Sequence, residues 1–307
     1  MKVLILGGSG HVSGAVARAA LSQGHEVWAL TRGQRPLADG IHSLVADRHD
    51  LAVTEAAVTA QDLVWDLVVD CICYDVADMQ QDLDLFPQRA RQLALVSTDF
   101  VYDPAHRTFP QPEEATHWAS GPEGSLSYGQ KKRQCELELS GADTGDMGWT
   151  VVRPCHIYGP TSQLGCLPLH GRDPELLAKM RAGEALRLVG GGHFLQQPIL
   201  ADDLALVLLS VGGNEAATGK IFNAAGPDTI ESWFYYQIIA DVLGVELSVE
   251  EVPVREHLEA HPEAAPFLCH RVCDLSRLEA ADLHRPSTPV EEGLRLHVEG
   301  LLAGGGP

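Results

Sequence analysis

Residues Lys2 to Gly24 read KVLILGGSGHVSGAVARAALSQG, and this stretch decides the fold. Lys2 to Leu6 is a short apolar run, the pattern of a strand buried on both faces of a parallel sheet. Gly7, Gly8 and Gly10 follow directly. Val12, Val16, Ala19 and Ala20 then recur at helical spacing up to Gly24, a suitable residue to end a helix. Strand, glycine turn and helix form the opening of a dinucleotide-binding unit. The glycines let the backbone approach a pyrophosphate, and the helix N-terminus supplies unpaired N–H groups and partial positive charge. The amides and side chains of Gly7, Ser9, Gly10, His11 and Val12 are the expected contacts. A tight turn with no ligand is the plainer reading, and the position between a buried strand and an amphipathic helix argues against it.

The rest of the first half continues the alternation. Glu26 to Leu30 and His42 to Ala46 read as the second and third strands, Asp50 to Gln61 as a helix, and Trp65 to Cys73 as a fourth strand. Val76 to Phe86 is the next helix and Gln92 to Ser97 the fifth strand. Such alternation predicts a doubly wound parallel sheet. A site for NAD places an acid roughly 20 residues past the glycine loop. Here Thr31, Arg32 and Arg35 stand instead. An arginine at this place pairs with the 2′-phosphate of NADP, so NADP is the favoured cofactor over NAD; two solvated surface arginines are the other reading.

Gly7-x-x-Gly10-x-x-Ser13 resembles the GxxGxxG loop of the extended short-chain dehydrogenase/reductase family, the NAD-dependent epimerases and dehydratases of nucleotide sugars, with Ser13 in place of the third glycine. Further motifs carry the same resemblance. Ser97-Thr98-Asp99-Phe100-Val101-Tyr102-Asp103 looks like the family's Ser-Ser/Thr-x-x-Val-Tyr-Gly segment, which implies that Thr98 binds the reacting oxygen and that Ser97 borders the cofactor. Ser127-Tyr128-Gly129-Gln130-Lys131-Lys132 matches Tyr-x-x-x-Lys. Arg153-Pro154-Cys155-His156-Ile157-Tyr158-Gly159-Pro160 resembles the turn that borders the nicotinamide, through Pro154 and His156. Asp47, with Arg48 beside it, falls where an acid contacts adenine, although an aspartate that merely forms a turn fits equally. Cys71 takes by position the place of a usual His-Leu-Ala-Ala run.

The chemistry suits the motif. Residues i and i+4 of a helix share a face, so Tyr128 and Lys132 lie on one side. A free tyrosine titrates at about 10, and a nearby ammonium favours the phenolate. Thr98, Tyr128 and Lys132 are thus the expected catalytic set. Thr98, Asp99, Tyr128, Gln196 and Arg271 are the expected substrate contacts. Gln196 replaces a family arginine that meets a nucleotide-sugar diphosphate, and Arg271 is the residue that can restore that handle. Phe100 replaces the glutamate of the 4,6-dehydratases, so elimination is not expected.

The resemblance implies a Rossmann-like core over residues 1–160 and a smaller, mainly substrate-binding lobe over 161–307, with some segments returning to the core. It also implies hydride transfer at a secondary alcohol or ketone of a sugar-like substrate, as a net ketoreductase or as a nucleotide-sugar epimerase. A non-catalytic relative of the RNA-binding kind is the rival from another class. With 42 acids against 22 bases, the net charge of −20 repels nucleic acid and anionic membranes. No apolar run approaches roughly 18 residues, so the expected location is the cytoplasm and the expected partners are a small sugar-like molecule and a second copy in a homodimer. The seven cysteines are scattered and odd in number, as in a reduced compartment. Cys155, His156, Cys166 and His170 match no compact zinc spacing, so no metal is expected. Pro104 to Gly124 reads as a loop over the site, and Asp203 as a cap or brace for the helix that follows.

Overall fold

The computed structural model describes residues 1–121 and 126–304. Seven parallel strands form the central sheet: β1 (Lys2–Leu6), β2 (Glu26–Thr31), β3 (Ile41–Val45), β4 (Leu67–Asp70), β5 (Gln92–Val96), β6 (Gly148–Pro154) and β7 (Lys220–Ala224). Their spatial order is β7-β6-β5-β4-β1-β2-β3, a doubly wound Rossmann-like sheet. The order reverses between β1 and β4, and that switch point opens a crevice at the carboxyl ends of the strands.

The alternation inside β1 builds both layers. Val3 and Ile5 pack on one face with Val16 and Ala20 of helix α1 (His11–Ser22), and Leu4 and Leu6 pack on the other with Trp28, Leu30 and Met79. All four β1 side chains are buried, as the two-sided position requires. Helices α2 (Leu51–Thr59), α3 (Val76–Leu85) and α4 (Tyr128–Gly141) follow in the chain. Asp50, Asp75 and Ser127 begin them, each side chain accepting from the first-turn N–H groups. Ser127 and Gln130 form a reciprocal capping box, which fixes the entry of α4 and so the position of Tyr128.

Beyond the sixth strand, α5 (Leu176–Arg181), α6 (Ala201–Ser210), α7 (Ser232–Leu243), α8 (Val254–Ala260), α9 (Ser276–Ala280) and α10 (Val290–Leu302) alternate with short strand pairs. A second core gathers Leu176, Met180, Leu188, Tyr235, Ile239 and Leu294. The segment is not confined to that lobe: β7 completes the main sheet beside β6, and α6 supplies Leu204 and Leu208 to the core under α1. Asp203 lies inside α6 and accepts from the backbone N–H of Ser287 and Thr288, so it braces an incoming segment and caps nothing. The described part of the stretch from Pro104, up to Gly121, carries neither a helix nor a regular strand; residues 122–124 of that reading lie outside the described residues. It is nonetheless pinned, because Arg107, Gln111 and Glu113 turn inward. Among the described residues, no helix is long and apolar enough to cross a membrane.

Candidate active site

The glycine turn meets the first requirement of a dinucleotide site, close backbone approach. Gly7 and Gly8 have φ of 113° and 109°, and a Cβ on Gly8 would collide with Ala29. Gly10 begins α1 with no side chain over the first turn. The first turn of a helix leaves N–H groups unpaired, and the helix dipole favours an anion there. Ser13 turns its hydroxyl back to accept from Gly10 N at 3.0 Å. The serine in the third-glycine position therefore stiffens the loop. This cradle fits a pyrophosphate, held by the turn from Gly7 to Val12. Thr31 closes β2 beside it, where a Cβ on Gly8 would come within 3.6 Å of its side chain, and Arg32 and Arg35 follow in the chain. Arg32 and Arg35 are exposed, with no ion pair among the described residues. Asp47 is exposed at the end of β3 and accepts from His49 N, the geometry of a local turn. His11 faces the lobe: its Nδ1 lies 2.8 Å from Thr161 Oγ1. Burial, with His297 and Arg172 adding, pushes it down to about 4.

The end of β5 delivers the second half of the site. Thr98 is buried and accepts from Phe100 N at 3.2 Å. The Phe100 carbonyl packs so closely on Gly129 that no Cβ fits there, which seats Tyr128 against the Thr98–Phe100 turn. The Phe100 and Tyr128 rings stand 6.4 Å apart, edge to face. Lys132 is buried and donates to Cys73 O at 2.6 Å and Val96 O at 2.5 Å, tying α4 to the ends of β4 and β5. Burial, together with Tyr74 and Asp99, pushes Tyr128 up to about 12. The ammonium charge here is taken up by two carbonyls, so the tyrosine is held as the neutral phenol. Pro154 is buried at the end of β6, and His156 stacks edge-on against Tyr235. Burial, with Arg271 adding, pushes His156 down to about 3. Burial also raises the Cys71 thiol well above its ordinary value.

Five expected contacts face elsewhere. The Arg48 guanidinium turns into the interior, 2.8 Å from Asp70, 3.0 Å from Asp82 and 3.2 Å from Asp78. The Ser97 hydroxyl donates to Glu136 Oε1 at 2.6 Å, inside a buried cluster with Arg153, and does not point to the crevice. Asp99 is 1% exposed and sits between Arg107 and Arg271, at 3.1 and 2.8 Å. The two guanidinium charges overcome the burial cost and hold its carboxyl below the usual carboxylate range. Arg271 is engaged with Asp99 and stacks on Phe100 with its Cζ 4.6 Å from the ring centroid. The Gln196 amide is buried and donates to Cys166 Sγ and Ser232 Oγ. Both residues thus have partners within the chain itself.

The sequence reading missed Arg107, whose partner lies at the end of β5, because an ion pair made by an irregular loop leaves no periodic signal. It missed the Arg153–Glu136 pair at 2.6 Å because that pair joins β6 to α4 in the packed fold and local pattern does not show it. Asp70, Cys73 and Asp82 bring ligand-type atoms within 4.8 Å of one another. Arg48 already supplies the positive charge that this group balances. The lobe adds a shallow groove lined by His170, Phe194, Tyr236 and Phe267.

The comparisons agree with this geometry. The model of the NAD dependent epimerase/dehydratase family matches residues 3–225. The chain is 27% identical over 290 residues to 2′-dehydrokanamycin reductase of Streptomyces kanamyceticus, covering 91% of this chain and 78% of that one. It is 26% identical over 240 residues to the chloroplast stem-loop binding protein of 41 kDa b of Arabidopsis thaliana, across 73% of this chain but only 58% of that protein. The UDP-glucose 4-epimerase of Thermotoga maritima, solved with UDP-glucose, superposes with a TM-score of 0.77 at 17% identity, covering 99% of each chain, and thereby shows the fold. With the family model spanning most of its length, this chain belongs to the NAD dependent epimerase/dehydratase family.

Proposed function

We propose that this protein is a nicotinamide-dependent ketoreductase for a sugar-like substrate, with NADP(H) preferred to NAD(H). The observation that carries this reading is the seating of Tyr128 against the Thr98–Phe100 turn, above the strand ends tied by Lys132. The bound nicotinamide supplies the hydride. Thr98 orients the ketone oxygen, and Tyr128, held as a neutral phenol, donates the proton that the forming alkoxide needs. Lys132, anchored on two carbonyls, is placed for the nicotinamide ribose. Dehydration is not supported: Asp99 is locked between two arginines, and Phe100 stands where a second acid is required.

Epimerisation is the second reading, and the family name favours it. It needs a firm grip remote from the reacting carbon, and Gln196 and Arg271 are both engaged internally. The test is to supply candidate keto sugars and nucleotide sugars with and without NADPH. Reduction with stoichiometric NADPH consumption is expected. Catalytic epimerisation without consumption would replace the reductase reading. A nucleic-acid-binding role, which the chloroplast relative's name raises, is opposed by the net charge of −20; retention of RNA on a filter at low salt would bring it back.

The cofactor preference has its own test. Arg32→Ala should weaken NADP binding about tenfold or more while leaving NAD nearly unchanged, because a charge-assisted hydrogen bond to the 2′-phosphate is lost. Titration of both dinucleotides by tryptophan quenching decides it. Equal or tighter NAD binding by the native protein would remove the NADP preference.

A further inference from the structure

Cys155 and Cys273 are 118 residues apart in the chain, yet their sulfur atoms lie 3.2 Å from each other. Each residue is 4% exposed, and both are free thiols. Their backbones are fixed independently. Cys155 N donates to Ala224 O at 2.9 Å, at the end of the β6–β7 ladder, and Cys273 N donates to Gln197 Oε1 at 3.0 Å. The two side chains share a small apolar cluster with Ala225 and Leu275. Other cysteines are occupied elsewhere: Cys166 Sγ accepts from the Gln196 amide, Cys269 donates to Pro266 O, and Cys71 and Cys73 pack in different cores. Closing the contact between Cys155 and Cys273 to the roughly 2.05 Å of a disulfide takes a shift of only about 1 Å.

The two residues belong to parts of the chain that meet at the crevice. Cys155 stands between Pro154 and His156 at the end of β6. Cys273 follows Arg271, which pairs with Asp99 beside Thr98. From His261 to Cys273 the chain has only a short 3-10 turn at Pro262–Phe267, and most of its residues are exposed or half-buried. Such a segment opens at lower cost than the sheet, and its opening uncovers Cys273. The contact with Cys273 and burial push the Cys155 thiol well above its ordinary value, so the closed pair is unreactive and oxidation waits on that opening.

We propose that Cys155 and Cys273 form a modification site, a thiol pair that a small-molecule disulfide oxidises to an intramolecular disulfide. The Cys273 thiolate attacks the S–S bond of the oxidant, and one oxidant thiol leaves. The Cys155 thiolate then attacks Cys273 in the mixed disulfide, and the second oxidant thiol leaves. The cysteines lose two electrons, the oxidant gains them, and the two cysteine protons pass to the released thiols. The bond latches the C-terminal segment that carries Arg271 to the end of the main sheet, and a reducing medium releases it. This inference stands apart from the ketoreductase reading.

The native protein is incubated with glutathione disulfide, with and without urea below its unfolding transition. It is then quenched in acid, alkylated with iodoacetamide in denaturant and digested with trypsin and chymotrypsin. These cut after Arg271 and Tyr158, separating the pair from Cys269 and Cys166. Mass spectrometry should find Cys155 linked to Cys273 in most chains, with the low urea raising the rate about tenfold or more. Dithiothreitol should reverse the link, and Cys155→Ala or Cys273→Ala should abolish it. Oxidation should raise the urea midpoint by roughly 1 M in the native protein and leave it unchanged in either variant. Recovery of both cysteines in alkylated form, with and without urea, overturns the proposal, as does linkage of either to another cysteine instead. An oxidised native protein whose midpoint is unchanged or lowered overturns it too, because the bond would then form only in a distorted fold. The native peptide map decides the matter even where a variant fails to fold.

Discussion

Tyr128→Phe lowers ketone reduction about 10²- to 10⁴-fold and leaves dinucleotide affinity unchanged: this is the expected result for loss of a general acid alone. The substitution removes one hydroxyl and keeps the ring that meets Phe100 edge-on at 6.4 Å. The capping box of Ser127 and Gln130, which seats α4, is untouched. Because the side chain is pushed up to about 12, it is protonated across the neutral range and competent as an acid. Reduction should therefore hold steady from about pH 6 to 9 and fall only toward the tyrosine's own titration. Oxidation of the alcohol needs the phenolate, whose fraction rises tenfold per pH unit below the pKa, so that direction should climb with pH over the same range. Single-turnover rates in both directions, followed by the dihydronicotinamide absorbance, measure this. A Tyr128→Phe protein within a factor of a few of the native rate would show that another group moves the proton.

The turn that carries the candidate site was legible because its parts are local. The first strand was read to the residue as Lys2–Leu6, since it is bounded by a clear change in pattern. The fourth strand was read as Trp65 to Cys73 and spans only Leu67–Asp70, because burial extends past the ladder and apolar composition reports burial. The helices Val254–Ala260 and Ser276–Ala280 escaped notice, being two turns or less in length. What the chain could not disclose was the direction of its polar side chains. Thr98, Tyr128 and Lys132 could be proposed from the sequence because a motif fixes their spacing along one or two elements. Arg48, Ser97 and Asp99 sit equally close to strand ends, yet each is turned inward by a partner 22 to 172 residues away. Pairings at that separation depend on the packed fold and leave no mark in local pattern.

Arg48 provides the sharpest test of that inward chemistry. Its guanidinium is 4% exposed and faces Asp70, Asp78 and Asp82, with Nη2 also donating to Asp78 O at 2.7 Å. Gln81 closes the cluster by donating to Arg48 O at 2.7 Å. Three carboxylates against one cation would leave a buried excess of negative charge. The cluster resolves this with a proton: burial and the neighbouring Asp70 raise Asp82 well above the usual carboxylate range, while Arg48 holds Asp70 below it against the cost of burial. Asp82 Oδ2, buried and otherwise without a partner among the described residues, is the atom placed to carry that proton. Arg48→Met should therefore cost about 3–5 kcal/mol, the range for stranding buried charge, against a total stability of about 5–15 kcal/mol for a folded domain. The loss should shrink from pH 8 to pH 5, where the stranded carboxyls take up protons. Asp82→Asn behaves oppositely. A group whose folded pKa is raised makes the native protein lose stability as pH climbs from the ordinary carboxylate range to that folded value. The amide is neutral throughout, so Asp82→Asn should equal or exceed the native protein at pH 8 and lose that advantage at pH 5. Urea unfolding of the three proteins at both pH values reads all of this. An Arg48→Met midpoint equal to the native one at pH 8 would mean that the buried carboxylates do not depend on this arginine.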